Sequence, residues 1–324
     1  MSTPSRLQRL GFRRLVVGSV VLVGSLATLG AVPPVAAATT TTPNIVETSW
    51  LEANLNTATV RIIEVSTDPG VYERGHIPGA VNFRWHTDFV DPVNRDIVQR
   101  KRFEELVRAA GINDTSTIVL YGDKNNWFAA WGVWIFKTYG ARDVRILNGG
   151  RDKWVKEGRA LTPQVPTPAK GRFTATTADK TLRAFLPDVL KVAKKQDKVT
   201  KLVDIRSADE FSGKIFAPAG FQELAIRAGH VPGAKNVPWA TAVNADGTFK
   251  SIEELRRIYR EQGIDGSKPV ITYCRIGERA AHTWFVLSQI LGYDVKVYDG
   301  SWTEYGNSVG VPIENPAGTV WGKG

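Results

Sequence analysis

The chain has 324 residues, 43% of them hydrophobic and 23% charged, with a formal net charge of +10. That balance supports a sizeable core and excludes a disordered or collagenous chain, and the length suggests two domains of roughly 150 residues each. A single cysteine, Cys274, excludes an internal disulfide or a multi-cysteine metal cluster, and the four histidines (His76, His86, His230, His282) have no ligand spacing.

Residues 1–14 carry Arg6, Arg9, Arg13 and Arg14 and no acid, and an apolar run follows from Leu15 to about Val32. Small residues at Ala36-Ala37-Ala38 then fit a signal-cleavage site. Residues 1–38 are therefore expected to be an export signal, placing the mature chain in the periplasm, the cell envelope or outside. An uncleaved membrane anchor is the alternative, and Arg13-Arg14 leaves both the Sec and the twin-arginine routes open. Without residues 1–38 the chain keeps 38 basic and 32 acidic residues, a net +6. No Lys/Arg run is interleaved with aromatics, so a solvated basic surface is expected rather than a nucleic-acid partner.

From residue 44 onward the chain repeats itself. Arg61–Val65 matches Lys201–Ile205, Gly75-His76-Ile77-Pro78-Gly79-Ala80 matches Gly229-His230-Val231-Pro232-Gly233-Ala234, Thr117–Gly122 matches Pro269–Cys274, and Val144–Gly149 matches Val295–Gly300. Helices are expected at Glu104–Ala110, Trp127–Tyr139, Ile252–Gln262 and Ala280–Leu291, alternating with short β-branched strands. The fold class is α/β: a domain at 44–160, a proline-rich extended linker at 161–171 and a second domain at 172–324, each a mostly parallel sheet with helices on both faces.

Duplication lets one half act as a control for the other. His76 and His230 occur in both, which favours a turn-stabilising role. His282 lies in the helix after Cys274 and is read as structural. Cys274 occurs in one half only, where the other has Gly122, and Asp123 stands opposite Arg275. Asp204-Ile205-Arg206 likewise faces Glu64-Val65-Ser66, so Arg206 is expected to bind substrate.

In Cys274-Arg275-Ile276-Gly277-Glu278-Arg279 a thiol at a strand end precedes a helix. Backbone N–H groups of the loop (Ile276, Gly277, Glu278) and the helix terminus favour thiolate, as do Arg275 and Arg279. The same donors suit an anionic substrate. Two chemistries fit a cysteine with a downstream arginine: phosphate-ester hydrolysis through a phosphocysteine, or sulfur transfer through a persulfide. The loop is short, a cradle better sized for one sulfur atom than for a phosphoryl group.

The loop, its continuation Ala280-Ala281-His282-Thr283-Trp284, the paired Gly-His turns and the Asn148-Gly149-Gly150 and Asp299-Gly300 turns resemble the tandem-domain rhodanese family, the thiosulfate sulfurtransferases. The resemblance covers nearly all of residues 44–324. It implies two rhodanese-like domains, an inactive N-terminal half and a catalytic C-terminal half. It also implies Cys274 as nucleophile and persulfide carrier, Arg206 and Arg275 as substrate-binding arginines, and no metal or other cofactor. Arg279 joins them by its charge. Two loop arginines favour thiosulfate over the monoanion 3-mercaptopyruvate, with cyanide or a thiol as acceptor. A 3-mercaptopyruvate sulfurtransferase, a phosphatase and a non-catalytic sulfur carrier remain as other readings, and a monomer is expected.

Overall fold

The computed structural model describes residues 43–222 and 224–322. The expected signal at 1–38 lies outside the described residues. Among those described, no helix is long and apolar enough to cross a membrane.

Among the described residues, twelve strands form two five-stranded sheets and a hairpin. In the N-terminal half they are β1 (Ile45–Val46), β2 (Val60–Glu64), β3 (Val81–Asn82), β4 (Val90–Asp91), β5 (Asp96–Ile97), β6 (Thr117–Tyr121) and β7 (Asp143–Leu147). In the C-terminal half they are β8 (Arg183–Ala184), β9 (Lys201–Asp204), β10 (Lys235–Asn236), β11 (Val270–Tyr273) and β12 (Val295–Tyr298). The sheet orders are β1-β7-β6-β2-β3 and β10-β9-β11-β12-β8, which are the same order read from opposite edges. Every pairing in both is parallel, so the sheets are wholly rather than mostly parallel; β4 and β5 form a separate antiparallel hairpin. Both faces of a parallel sheet are covered, and its central strand Val270–Tyr273 is accordingly buried at every position.

One apolar cluster runs through both halves. It joins the inner faces of the two sheets through the helix Trp127–Thr138 and the helix Glu278–Trp284, which pack against each other. Separate clusters fill the outer face of each sheet. The Trp127–Thr138 helix is apolar all round and buried from Phe128 to Phe136, as a helix between two sheets must be. Its counterpart begins at Glu278, two residues before the expected start, and continues as wider π-helical turns from Phe285 to Ile290. Glu278 and Arg279 thus belong to a helical first turn.

Each half is closed by the segment that leaves it. Thr162 pairs with His76 through two backbone hydrogen bonds of 2.9 Å, and Glu314 pairs with His230 at 2.8 and 3.0 Å. The stretch after Thr162 has no strand or helix until Arg183, as its prolines require.

Candidate active site

Strand β11 ends at Tyr273 and delivers Cys274 to the carboxyl edge of the second sheet, where open α/β sheets gather ligands. The thiol is fully buried. Its Sγ accepts a hydrogen bond from the Gly277 N–H at 3.0 Å. The Cys274 N–H donates to Ser301 Oγ at 3.1 Å, its carbonyl accepts from the Trp302 N–H at 3.0 Å, and the Ser301 hydroxyl lies 4.0 Å from the sulfur while donating to the Tyr298 carbonyl. Gly277 has φ +103°, and a β-carbon there would sit 2.4 Å from the Asp299 carbonyl oxygen. Only glycine lets the chain turn its amide onto the sulfur in that space.

Around the loop the arginines divide. Arg275 turns toward the long connection between β9 and the second Gly-His turn; its Nη1 donates to the Gln222 carbonyl at 2.8 Å and its guanidinium lies 5.0 Å over the Phe221 ring. Arg279 lies 5.1 Å over the ring of Trp127 and 3.7 Å from Glu210 Oε1. Glu278 is buried, and its carboxyl is pushed up to about 8 by burial and by neighbouring Asp299, against the pull of Arg95 and Arg279. Near neutral pH it is therefore mostly uncharged and adds no negative charge beside the arginines, of which Arg279 faces the Glu210 carboxylate. Asp299 accepts from Arg183 Nη2 at 2.9 Å.

Arg206 requires a correction. It is 1% exposed, and its guanidinium is committed to the Asp204 carboxylate at 2.6 Å and the Gly229 carbonyl at 2.7 Å, stacked 4.6 Å over Trp302. The N-terminal half fills the same place from a different element. Arg151, in the helix Gly150–Lys156, binds both Glu64 oxygens at 3.1–3.2 Å and the Gly75 carbonyl. Glu64 and Gly75 are the repeat equivalents of Asp204 and Gly229. A guanidinium in each half ties the strand-end carboxylate to the Gly-His turn, so Arg206 serves the fold. Position-by-position comparison hid this because the arginine moved from one side of the contact to the other: Ser66 and Arg151 in one half, Arg206 and Trp302 in the other.

The histidines of both turns are structural, as expected. His76 stacks on Tyr72 at 3.8 Å and bonds the Tyr72 and Gln164 carbonyls; His230 stacks on Phe211 at 3.6 Å and bonds the Phe211 carbonyl and Glu314. His282 is buried between Trp239 and Phe249, and burial lowers its pKa to about 4, which keeps the ring neutral.

Ser301, Asp299, Glu210, Trp127 and Arg95 were not singled out from sequence. For Ser301 a signal existed. It stands opposite Gly150 in the repeat, and both have left-handed backbones, φ +50° and +57°. Where the first half has two glycines, Gly122 and Gly150, the second has a thiol and a hydroxyl 4.0 Å apart.

A family profile described as "Rhodanese-like domain" matches residues 47–157 and 186–308. A protein named "Putative thiosulfate sulfurtransferase" from Saccharopolyspora erythraea is 53% identical over 84% of this chain and 96% of its own length. The "Sulfur carrier protein TtuD" of Thermus thermophilus is 52% identical over 83% of this chain and 95% of its own. Among solved structures, the Escherichia coli protein SseA, described under 3-mercaptopyruvate sulfotransferases, superposes with a TM-score of 0.70 at 28% identity, covering 81% of this chain and 99% of its own.

Proposed function

Because both halves of the chain belong to the rhodanese family of sulfurtransferases, we propose that Cys274 takes the outer sulfur of a small anionic donor, thiosulfate, and hands it to cyanide or a thiol. The observation that carries this reading is the Gly277 amide bound to the Cys274 sulfur inside a loop flanked by Arg275 and Arg279. An N–H aimed at sulfur favours thiolate and afterwards the persulfide anion.

In the first step the thiolate attacks the outer sulfur of thiosulfate. A new S–S bond forms, the donor's S–S bond breaks, and its electron pair leaves on sulfite. In the second step cyanide or a thiolate attacks the outer sulfur of the persulfide, and the pair returns to Cys274. Arg275 and Arg279 hold the donor's charge and steady the departing sulfite. Neutral Glu278 supports that role below its titration. Arg206 has no part in the donor site. No metal or organic cofactor enters this scheme.

A sulfur-carrier reading has its own support in the fully buried thiol and in the name of the Thermus relative. Mass spectrometry after exposure to thiosulfate, followed by assays with thiosulfate plus cyanide and with 3-mercaptopyruvate plus a thiol, separates the readings. One added sulfur on Cys274 with turnover on thiosulfate is expected. One added sulfur without turnover would make the protein a carrier, and turnover on 3-mercaptopyruvate alone would replace the donor. Export is part of the proposal: sequencing the N-terminus of the recovered protein should find a start near Thr39, whereas an intact N-terminus would mean an anchor.

A further inference from the structure

The structure assigns to Arg95, in the half without a cysteine, the task of fixing the peptide group that touches the Cys274 sulfur. This deepens the sulfurtransferase reading by naming a positioning residue for its nucleophile.

The relevant unit is one peptide plane, Ile276–Gly277. Its N–H end donates to Cys274 Sγ at 3.0 Å. Its C=O end accepts from Arg95 Nη2 at 2.5 Å, a contact spanning 181 residues of sequence. A peptide is rigid and planar, so holding the oxygen fixes the direction of the hydrogen. A charged donor on the oxygen also polarises the group and strengthens the N–H as a donor to sulfur. The same guanidinium reaches Asp299 at 3.7 Å, on the side where Gly277 packs.

The duplication supplies a control. Arg95 is the last residue of the β4–β5 hairpin loop and is left-handed, with φ +53°. The C-terminal half builds the equivalent hairpin around the Val243–Phe249 bridge, and Gly247, two residues before Phe249 as Arg95 is two before Ile97, is also left-handed, with φ +79°. Each hairpin reaches across to the other half's loop: Arg95 to Ile276, and Gly247 to the region of Asn125, whose Oδ1 would lie 2.8 Å from a β-carbon on Gly247. A non-glycine residue in the left-handed region is uncommon and costs energy. It occurs where the facing loop carries the thiol, and glycine occurs where the facing loop carries Gly122.

Charged groups surround the loop from several sides. Arg275, Glu278 and Arg279 belong to it; Glu210, Asp299 with Arg183, and Arg95 face it from other elements.

The test is the pH profile of Cys274 alkylation by iodoacetamide in the full chain, which involves no sulfur donor. Arg95→Ala should move the half-maximal pH upward by about half a unit or more and slow alkylation at pH 6.5 about threefold. Arg95→Gln keeps a neutral donor and should shift it less in the same direction, and it serves as the second variant should Arg95→Ala fold poorly. Arg102→Ala, on the exposed face of the following helix, should leave the profile unchanged. A profile in both Arg95 variants that overlays the parent's would overturn the assignment without touching Cys274 as sulfur acceptor. Failure of the sulfurtransferase reading would leave this readout intact.

Discussion

The sulfur of Cys274 accepts from the Gly277 amide at 3.0 Å, with the Ser301 hydroxyl 4.0 Å away, and the left-handed turn at Gly277 aims that amide. Cys274→Ser should lower sulfur transfer by about a thousandfold or more while changing stability by no more than roughly 1–2 kcal/mol, checked by assay and denaturant melts. Gly277→Ala should cost roughly 1–3 kcal/mol and most of the activity, because a β-carbon meets the Asp299 backbone in a left-handed conformation. Glu278 gives a pH signature. Its folded pKa, about 8, lies above the ordinary glutamate value of 4.5, so the native state binds an extra proton between those values. Stability attributable to this group is complete below about pH 4.5 and falls as pH rises through 8. Glu278→Gln should therefore gain on the parent by something of the order of 3 kcal/mol between pH 5 and 8.5 in denaturant titrations, and a constant gap would refute it. Cys274 and Gly277 were legible from sequence because each stands out chemically: the one thiol, and a glycine in a tight loop. Arg95 was not, because no motif surrounds it and a hairpin tip from the other half must be brought alongside before it means anything.

At the level of elements, the two strand-end locks show what a linear comparison can and cannot read. The β9–β11 pairing sets Asp204 beside Tyr273, and the β2–β6 pairing sets Glu64 beside Tyr121, so each sheet presents a buried acid at its carboxyl edge. An unpaired buried carboxylate is costly, and each half supplies an arginine. Arg206→Ala and Arg151→Ala should both destabilise the protein, by roughly 3–5 kcal/mol, because each strands a buried acid. Arg206→Ala should show this in thermal melts before any specific loss of thiosulfate affinity; a purely kinetic defect with an unchanged melt would return Arg206 to the donor site. The strands and the Gly-His turns were readable as repeats of apolar runs and turn residues. The locks were not, since the same contact is made by residues at different positions in the two halves. Gly122→Cys should likewise fail to create a second persulfide site, because a β-carbon there would lie 2.2 Å from the Val65 carbonyl oxygen.

Taken whole, the molecule is two similar sheets facing a shared helical layer. The helix Trp127–Thr138 was expected as a helix, but only the assembled fold shows that its partner is the helix behind the cysteine loop. Residues 172–324 expressed alone should expose that helix, bind a hydrophobic dye and aggregate, and co-expression with 44–171 should restore a compact species in gel filtration. A soluble, dye-silent fragment would show the halves to be independent. Trp127 and Arg279 occupy matching places in the duplicated sequence, five residues after Gly122 and after Cys274, and they stack on each other. Two copies of the cysteine-bearing half joined this way would press guanidinium on guanidinium, whereas indole on guanidinium attracts. Divergence at that one point favours packing of each half against its unlike sibling over packing of two cysteine-bearing halves.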